Sequence, residues 1–352
     1  MKKYSLSVVG AGSGGMLSVK GAAASERFEL KAVADLRAEP LAAVEAQFPG
    51  TRTFRSHQEM FARCPTDVVC VSTYAPTHKP ITLDALATPI TGILVEKPLG
   101  DTAHAARELI GAVRTRRLPM VVPHGLLVAR HAIEILERVR GGEIGDLLLV
   151  EIENNKWDII NAGIHWLNFF VALIGDDPVE SVLAACDATT RTYRDGMQVE
   201  TAAAAYVTTK KGVRGVLNCG DDIRAIRPDK PNAYRIIGAK GMIEFWMWAS
   251  EYFLVNEKHP SGRHLKVEPS KPGGHRRHLE NLAAQMDTGA PDYSVAESSF
   301  RALEIVEAAY LSNRHRCRVV FPLESFAPLA LTDWNPGAPY SGVGGGRDGR
   351  KL

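Results

Sequence analysis

Cysteine is scarce in this chain. Five residues among 352 (Cys64, Cys70, Cys186, Cys219 and Cys317) show no C-x-x-C and no short paired spacing. Such an odd, scattered set argues against a disulfide-stapled scaffold or a cysteine zinc site, and fits a reduced protein inside the cell. An excess of one charge is also lacking. Lys and Arg total 42 against 40 Asp and Glu, a formal net charge of +2, so there is no electrostatic case for a nucleic-acid partner. No stretch reaches the ~18 to 20 apolar residues of a spanning helix, and no membrane partner is expected. What is present, 45% apolar and 23% charged residues, lies near globular averages and argues against a disordered or fibrous chain. The length points to two domains.

Lys2-Lys3, the run to Met16 and Ala22-Ala23-Ala24 have the outline of a signal peptide. Four glycines inside it (Gly10, Gly12, Gly14, Gly15) make a poor apolar segment and a good phosphate loop. The expectation is a soluble, cytoplasmic protein. Tyr4 to Val9 alternates and is rich in β-formers, which predicts a strand. Gly10-Ala11-Gly12-Ser13-Gly14-Gly15 follows and satisfies G-x-G-x-x-G. A helix to about Ser25 and a second strand, Leu30 to Ala34, come next, and that strand runs into Asp35. Gly10 permits the tight turn, Gly12 lets a pyrophosphate approach the backbone, and Gly15 lets helix pack on strand. The helix start offers unpaired N–H groups to phosphate, and Asp35 can accept from ribose hydroxyls. These pieces predict that Gly10, Gly12, Ser13, Gly14, Gly15 and Asp35 bind a dinucleotide. The Asp35 charge favours NAD, whereas Arg37 close by can hold a 2′-phosphate, so NADP stays open.

Strands and helices keep alternating as far as Met120 to Val122, which predicts a parallel, doubly wound Rossmann sheet over residues 1–123 with ligands at the strand C-termini. Thr73, Pro76 and His78, then Glu96 and Lys97, and then His124 lie just past such ends. The first five are candidates for the cofactor; Lys97 and His124 are candidates for the substrate.

Val95-Glu96-Lys97-Pro98, preceded by Val71 to His78, resembles segments of the Gfo/Idh/MocA family of sugar and polyol oxidoreductases. Gly142 to Asp146, Gly163-Ile164-His165, Ile237 to Gly241 and Ser294 to Pro322 resemble further family segments, so that the likeness spans roughly residues 4 to 323. The resemblance implies hydride transfer between a sugar or polyol ring carbon and the nicotinamide. It also implies that Lys97 steadies alkoxide charge and His165 relays the proton, with Glu96 orienting Lys97 or the cofactor. Taken alone, His165 in its apolar helical stretch would read as a core histidine. Related enzymes carry an aspartate four residues before the histidine and another acidic residue three after it. Here Asn161 and Asn168 stand there. Asn161 shares the helix face of His165 and is expected to orient substrate, but an amide cannot hold charge or pass a proton. Asp158, Glu151 and Glu153 are the alternatives for an acidic partner. Lys156 and Trp157 are expected in the substrate pocket, Trp157 against a sugar's apolar face or as a structural residue.

From residue 124 to about 330 the hairpin-like strand spacing predicts an α+β domain with a mostly antiparallel open sheet. The resemblance implies that its open face makes a homodimer or homotetramer. His275 and His278 are three apart, but Arg276 and Arg277 beside them disfavour a metal, and no metal is expected. Residues 331–352 form a Gly- and Pro-rich tail whose Trp334 and Tyr340 suggest that it lies across a protein surface. The overall expectation is an NAD(P)-dependent sugar or polyol dehydrogenase. Oxidation–elimination without net redox, or a non-catalytic nucleotide sensor, are the alternatives.

Overall fold

The computed structural model describes residues 2–187, 189, 193–221, 223, 230, 232–326, 337 and 339. They form two compact units, residues 1–125 with 271–300, and residues 126–270 with 301 onward.

In the first unit the chain alternates β1 (Tyr4–Val9), α1 (Ser13–Ala23), β2 (Phe28–Ala34), α2 (Ala38–Gln47), β3 (Arg52–Phe54), α3 (His57–Arg63), β4 (Val68–Val71), α4 (Ala75–Leu86), β5 (Gly92–Val95), α5 (Ala103–Thr115) and β6 (Met120–Val121). All six strands pair in parallel, in the order β3-β2-β1-β4-β5-β6. β4 and β5 are apolar at every position and wholly buried, as strands covered on both faces require. The strand order reverses between β1 and β4, which opens a crevice beyond Val9 and Val71. α4 begins at Ala75. Pro76 sits in its first turn, where a missing N–H costs no helical bond.

In the second unit follow α6 (Arg130–Arg140), β7 (Leu147–Asn155), a π-helical turn (Ile159–Gly163), α7 (Ile164–Ile174), β8 (Val179–Asp187), the short hairpin β9 (Tyr193–Arg194) and β10 (Met197–Gln198), β11 (Ala202–Thr209), β12 (Arg214–Gly220), β13 (Ala233–Gly238), β14 (Gly241–Phe245), β15 (Glu251–Asn256) and β16 (His259–Lys266). α8 (Gly274–Thr288) belongs to the first unit, the boundary falls within α9 (Ser294–His315), and β17 (Val319–Val320) ends the second sheet. Nine strands pair as β16-β15-β14-β13-β7-β12-β11-β8-β17, and every pair but β7–β12 is antiparallel. α7 packs closely on this sheet. A Cβ at Gly215 would lie 3.2 Å from the Phe170 ring. The other face carries a cross-strand row, Leu183, Tyr206, Val216, Glu151, Arg235 and Glu244. Its first two members are 46% and 37% exposed.

A single cut after residue 123 overlooks the return of residues 271–300 to the first unit. α8 lies on α1 at Gly21, where a Cβ would sit 3.0 Å from the Arg276 amide. Leu279, Leu282 and Ala283 of α8 join the core made by β1, α1 and β2. At the other end, the Gly337 amide donates to the Gln198 carbonyl (2.9 Å) and Pro339 bridges to Met197. The expectations for Trp334 and Tyr340 lie outside the described residues.

Candidate functional site

The glycine loop is shaped by close approach. Gly10 has a φ of 95°, and a Cβ there would lie 2.3 Å from the Ser72 carbonyl oxygen. A Cβ at Gly15 would lie 1.9 Å from the Gly10 carbonyl oxygen. Both positions require glycine for the loop to fold. Gly12 differs, since its missing Cβ would meet nothing nearer than an Arg37 guanidinium nitrogen at 3.8 Å. Its bareness leaves room outside the loop. Gly12 also caps α1 without any side chain, and the amides of the first helical turn have no carbonyl of their own helix to bond. That is a cradle for a pyrophosphate. Asp35 closes it: one carboxylate oxygen accepts from the Ala11 amide (2.8 Å), the other from the Arg37 amide (2.9 Å). Arg37 itself is largely exposed, so a cation stands beside the Asp35 carboxylate. The residues present therefore fit a dinucleotide.

Beyond β4, Thr73 and Pro76 are partly exposed at the start of α4. His78 departs from expectation. It is fully buried, and its ring nitrogens face the Pro98 and Thr73 carbonyls at 2.9 and 3.0 Å. It ties α4 to the loop after β5 through its ring nitrogens, with no side-chain surface left exposed. Burial also holds its pKa below the ordinary value.

Glu96 and Lys97 follow β5, and the Lys97–Pro98 bond is cis. One Glu96 oxygen accepts from the Lys97 amide (3.0 Å). The other meets His275 Nε2 at 2.5 Å and lies 3.4 Å from the position of a Cβ on Gly14. Burial works to raise the Glu96 pKa, but the His275 hydrogen bond and the His275 and Lys97 charges outweigh it and hold the carboxylate below its usual range. Lys97 is only partly buried. His124, expected at the substrate, is 1% exposed. Its Nε2 bonds the Ser299 hydroxyl (2.8 Å) and its carbonyl accepts from His278 (3.1 Å). Burial and His278 push its pKa down to about 3, so it is a neutral core residue. His275 and His278 thus serve separate partners.

In the second unit the segment before His165 is wound differently from the expected single helix. Asn161 lies in the π-helical turn and His165 at the start of α7. Asn161 is 3% exposed, and both its amide groups, backbone and side chain, donate to one Asp158 oxygen (2.7 and 2.9 Å). It therefore closes the turn and does not present its amide to an open pocket. The other Asp158 oxygen pairs with Arg194 at 2.7 Å, with both side chains buried. Arg194 stacks 4.3 Å from the Trp157 ring centre, so one face of that indole is already covered. Lys156 is exposed, with a φ of 66° and its amide bonded to the Gly220 carbonyl (2.9 Å). Glu151 is engaged by Arg235 (2.6 Å) on the open sheet face.

Two features here had no signal in the sequence. Glu200 is 3% exposed and accepts from the Ile159 amide (2.6 Å) and the Tyr310 hydroxyl (2.8 Å). Burial, then the neighbouring Asp158 charge, push its pKa up to about 7. Trp248 stands edge-on to the His165 ring, with centres 5.6 Å apart, and is 53% exposed. Its loop is held by His131, which bonds the Met247 carbonyl at 2.7 Å where Met247 takes a φ of 51°. Only the tertiary fold brings these groups together, from segments with no shared motif.

A strand, glycine loop and helix at the switch point of a parallel sheet, closed by an acidic residue after the second strand, define a dinucleotide-binding α/β protein. Residues 5–124 match the model of the oxidoreductase family, NAD-binding Rossmann fold, and residues 159–321 that of its C-terminal alpha/beta domain. The chain belongs to the Gfo/Idh/MocA oxidoreductase family. It is 24% identical over 330 residues to the rhizopine catabolism protein MocA of Rhizobium meliloti, covering 88% of this chain and 95% of that protein. Identity to D-apiose dehydrogenase of Paraburkholderia graminis is 25% over 343 residues, 88% of each chain. The fold resembles GenD2 from gentamicin A biosynthesis, solved in complex with NAD, at a TM-score of 0.76 and 19% identity over 91% of this chain and 97% of that one.

Proposed function

We propose that this oxidoreductase transfers hydride between NAD, or NADP, and a carbinol carbon of a sugar or polyol ring. The observation that carries the reading is the glycine cradle with Glu96-Lys97-Pro98 at the neighbouring strand end, in a chain whose relatives include a protein named D-apiose dehydrogenase. When bound, the nicotinamide accepts or returns the hydride. Lys97 supplies positive charge to an oxygen that becomes alkoxide-like. His165 exchanges the hydroxyl proton, since an imidazole can take and return one near neutral pH. The Asp158–Asn161 hydrogen bonds set the turn from which α7 and His165 start. Trp248 offers a flat apolar surface next to His165 for the C–H face of a ring. The row around Leu183 and Tyr206 supports self-association through the open sheet face, because exposed apolar side chains and a charged cross-strand ladder can pair with their own copy.

The test is a panel of sugars, polyols and glycosides with each cofactor, following reduced nicotinamide and substrate together. Appearance of both changes in equal amounts, lost in Lys97→Ala and His165→Ala, is the expected result. Substrate loss without reduced cofactor would replace it with oxidation–elimination.

A further inference from the structure

Glu96 is placed where a carboxylate should hinder its own site. The oxygen that lies 3.4 Å from the Cβ position of Gly14 sits against the glycine loop that would cradle a pyrophosphate. A like charge so near an anion site opposes binding, and more strongly in a poorly solvated position. The same oxygen is met by His275 Nε2 at 2.5 Å, with side-chain exposures of 13% for His275 and 7% for Glu96. His275 comes from the start of α8, which the Gly21 contact and the Leu279–Ala283 core fix onto α1. The imidazole is therefore delivered to Glu96 by a rigid helix, 179 residues away in sequence.

The other titratable groups around the carboxylate are Lys97, His78, His124, His278 and Cys70. Burial pushes His124 down to about 3 and His278 down to about 4, and it raises the Cys70 thiol, so these three carry no charge at neutral pH. Burial likewise lowers His78, whose ring is bonded to carbonyls. On α8, Arg276 is paired with Glu280 at 2.8 Å. Lys97 and His275 are the cations that answer Glu96, and histidine is the side-chain type whose charge changes between about pH 5 and 8.

We infer that His275 is a positioning residue for the cofactor, whose protonated ring cancels the Glu96 carboxylate beneath the glycine loop and makes dinucleotide affinity depend on one proton. The sign follows from charge. Loss of the His275 proton makes the Glu96, Lys97 and His275 group one unit more negative, which weakens its hold on a pyrophosphate. Affinity falls as pH rises, and binding draws a proton onto the pair.

The experiment is calorimetric titration of the full chain with NAD between about pH 5.5 and pH 9, in two buffers of different ionisation enthalpy. Affinity of the unaltered protein is expected to fall roughly tenfold across this range, with proton uptake on binding. His275→Asn keeps a hydrogen bond but cannot titrate; it should bind weakly at every pH and take up no proton. Glu96→Gln should bind with little pH dependence, and adding His275→Asn to it should cost nothing further. A flat profile without proton uptake in the unaltered protein would overturn the inference, with no variant needed. So would an equal loss from His275→Asn in both backgrounds, the mark of a merely structural histidine.

Discussion

Glu200 should make the second unit less stable as pH rises, and replacing it with glutamine should remove that dependence. A glutamine keeps the volume, an oxygen for the Ile159 amide and a polar group for Tyr310. The folded carboxyl titrates near 7 where its ordinary value is 4.5. A tenfold change in proton affinity is worth about 1.4 kcal/mol, so the effect is on the order of 3 kcal/mol. The folded pKa is the raised one, so the native state holds a proton that the unfolded chain releases. This stabilisation is complete below about pH 4.5 and is lost as pH rises through 7. The physical cause is burial beside the Asp158 carboxylate, whose own charge is already answered by Arg194. The assay is urea unfolding followed by circular dichroism at about pH 5.5, 7 and 8.5. The difference in stability between the parent and Glu200→Gln should move by roughly 2 to 3 kcal/mol in favour of the variant from the lowest to the highest pH. Parallel stability profiles would refute the reasoning, since they would mean that Glu200 titrates alike in the folded and unfolded chain.

Gly15→Ala should destabilise the first unit by roughly 2 kcal/mol or more, because its Cβ would overlap the Gly10 carbonyl oxygen. Gly12→Ala should leave thermal unfolding within about 1 kcal/mol of the parent and weaken only NAD binding, as calorimetry would show. Arg37→Ala should lower affinity for NADP several-fold more than affinity for NAD, measured by calorimetry, because it removes the exposed guanidinium beside Asp35 that a 2′-phosphate would meet. Tyr206→Arg places a charge in the exposed Leu183–Tyr206 row and should shift the protein toward monomer in sedimentation, with the fold retained.

Much of the first unit was legible because local pattern and physical need coincide there. The glycine spacing states which positions lack room for a Cβ, and the buried runs of β4 and β5 can be read as strands. The place of Asp35 beside the loop was legible from its chain distance, and its carboxylate accepts from the Ala11 amide there. His78 and His124 misled for a related reason: both follow strand ends, yet neighbouring backbone and α9 cover them. β16, His259–Lys266, has no apolar alternation because it is an exposed edge strand, held by its ladder to β15. The Glu96–His275 pair and the Asp158–Arg194–Glu200 cluster arise from tertiary packing, so no spacing announced them. Asn161 shows the limit of helical spacing most plainly. Four residues from His165 meant one face of an α-helix, but a π-helical turn intervenes and turns the amide back onto Asp158.

In the proposed reaction hydride passes from a ring carbinol carbon to the nicotinamide. Its most direct test uses a turned-over sugar or polyol carrying deuterium on that carbon, with the reduced cofactor isolated and the label located by NMR. Deuterium at C4 of the nicotinamide, in amounts matching oxidised product and absent with Lys97→Ala, is the predicted result. Product formed while the cofactor ends unreduced and unlabelled would contradict it.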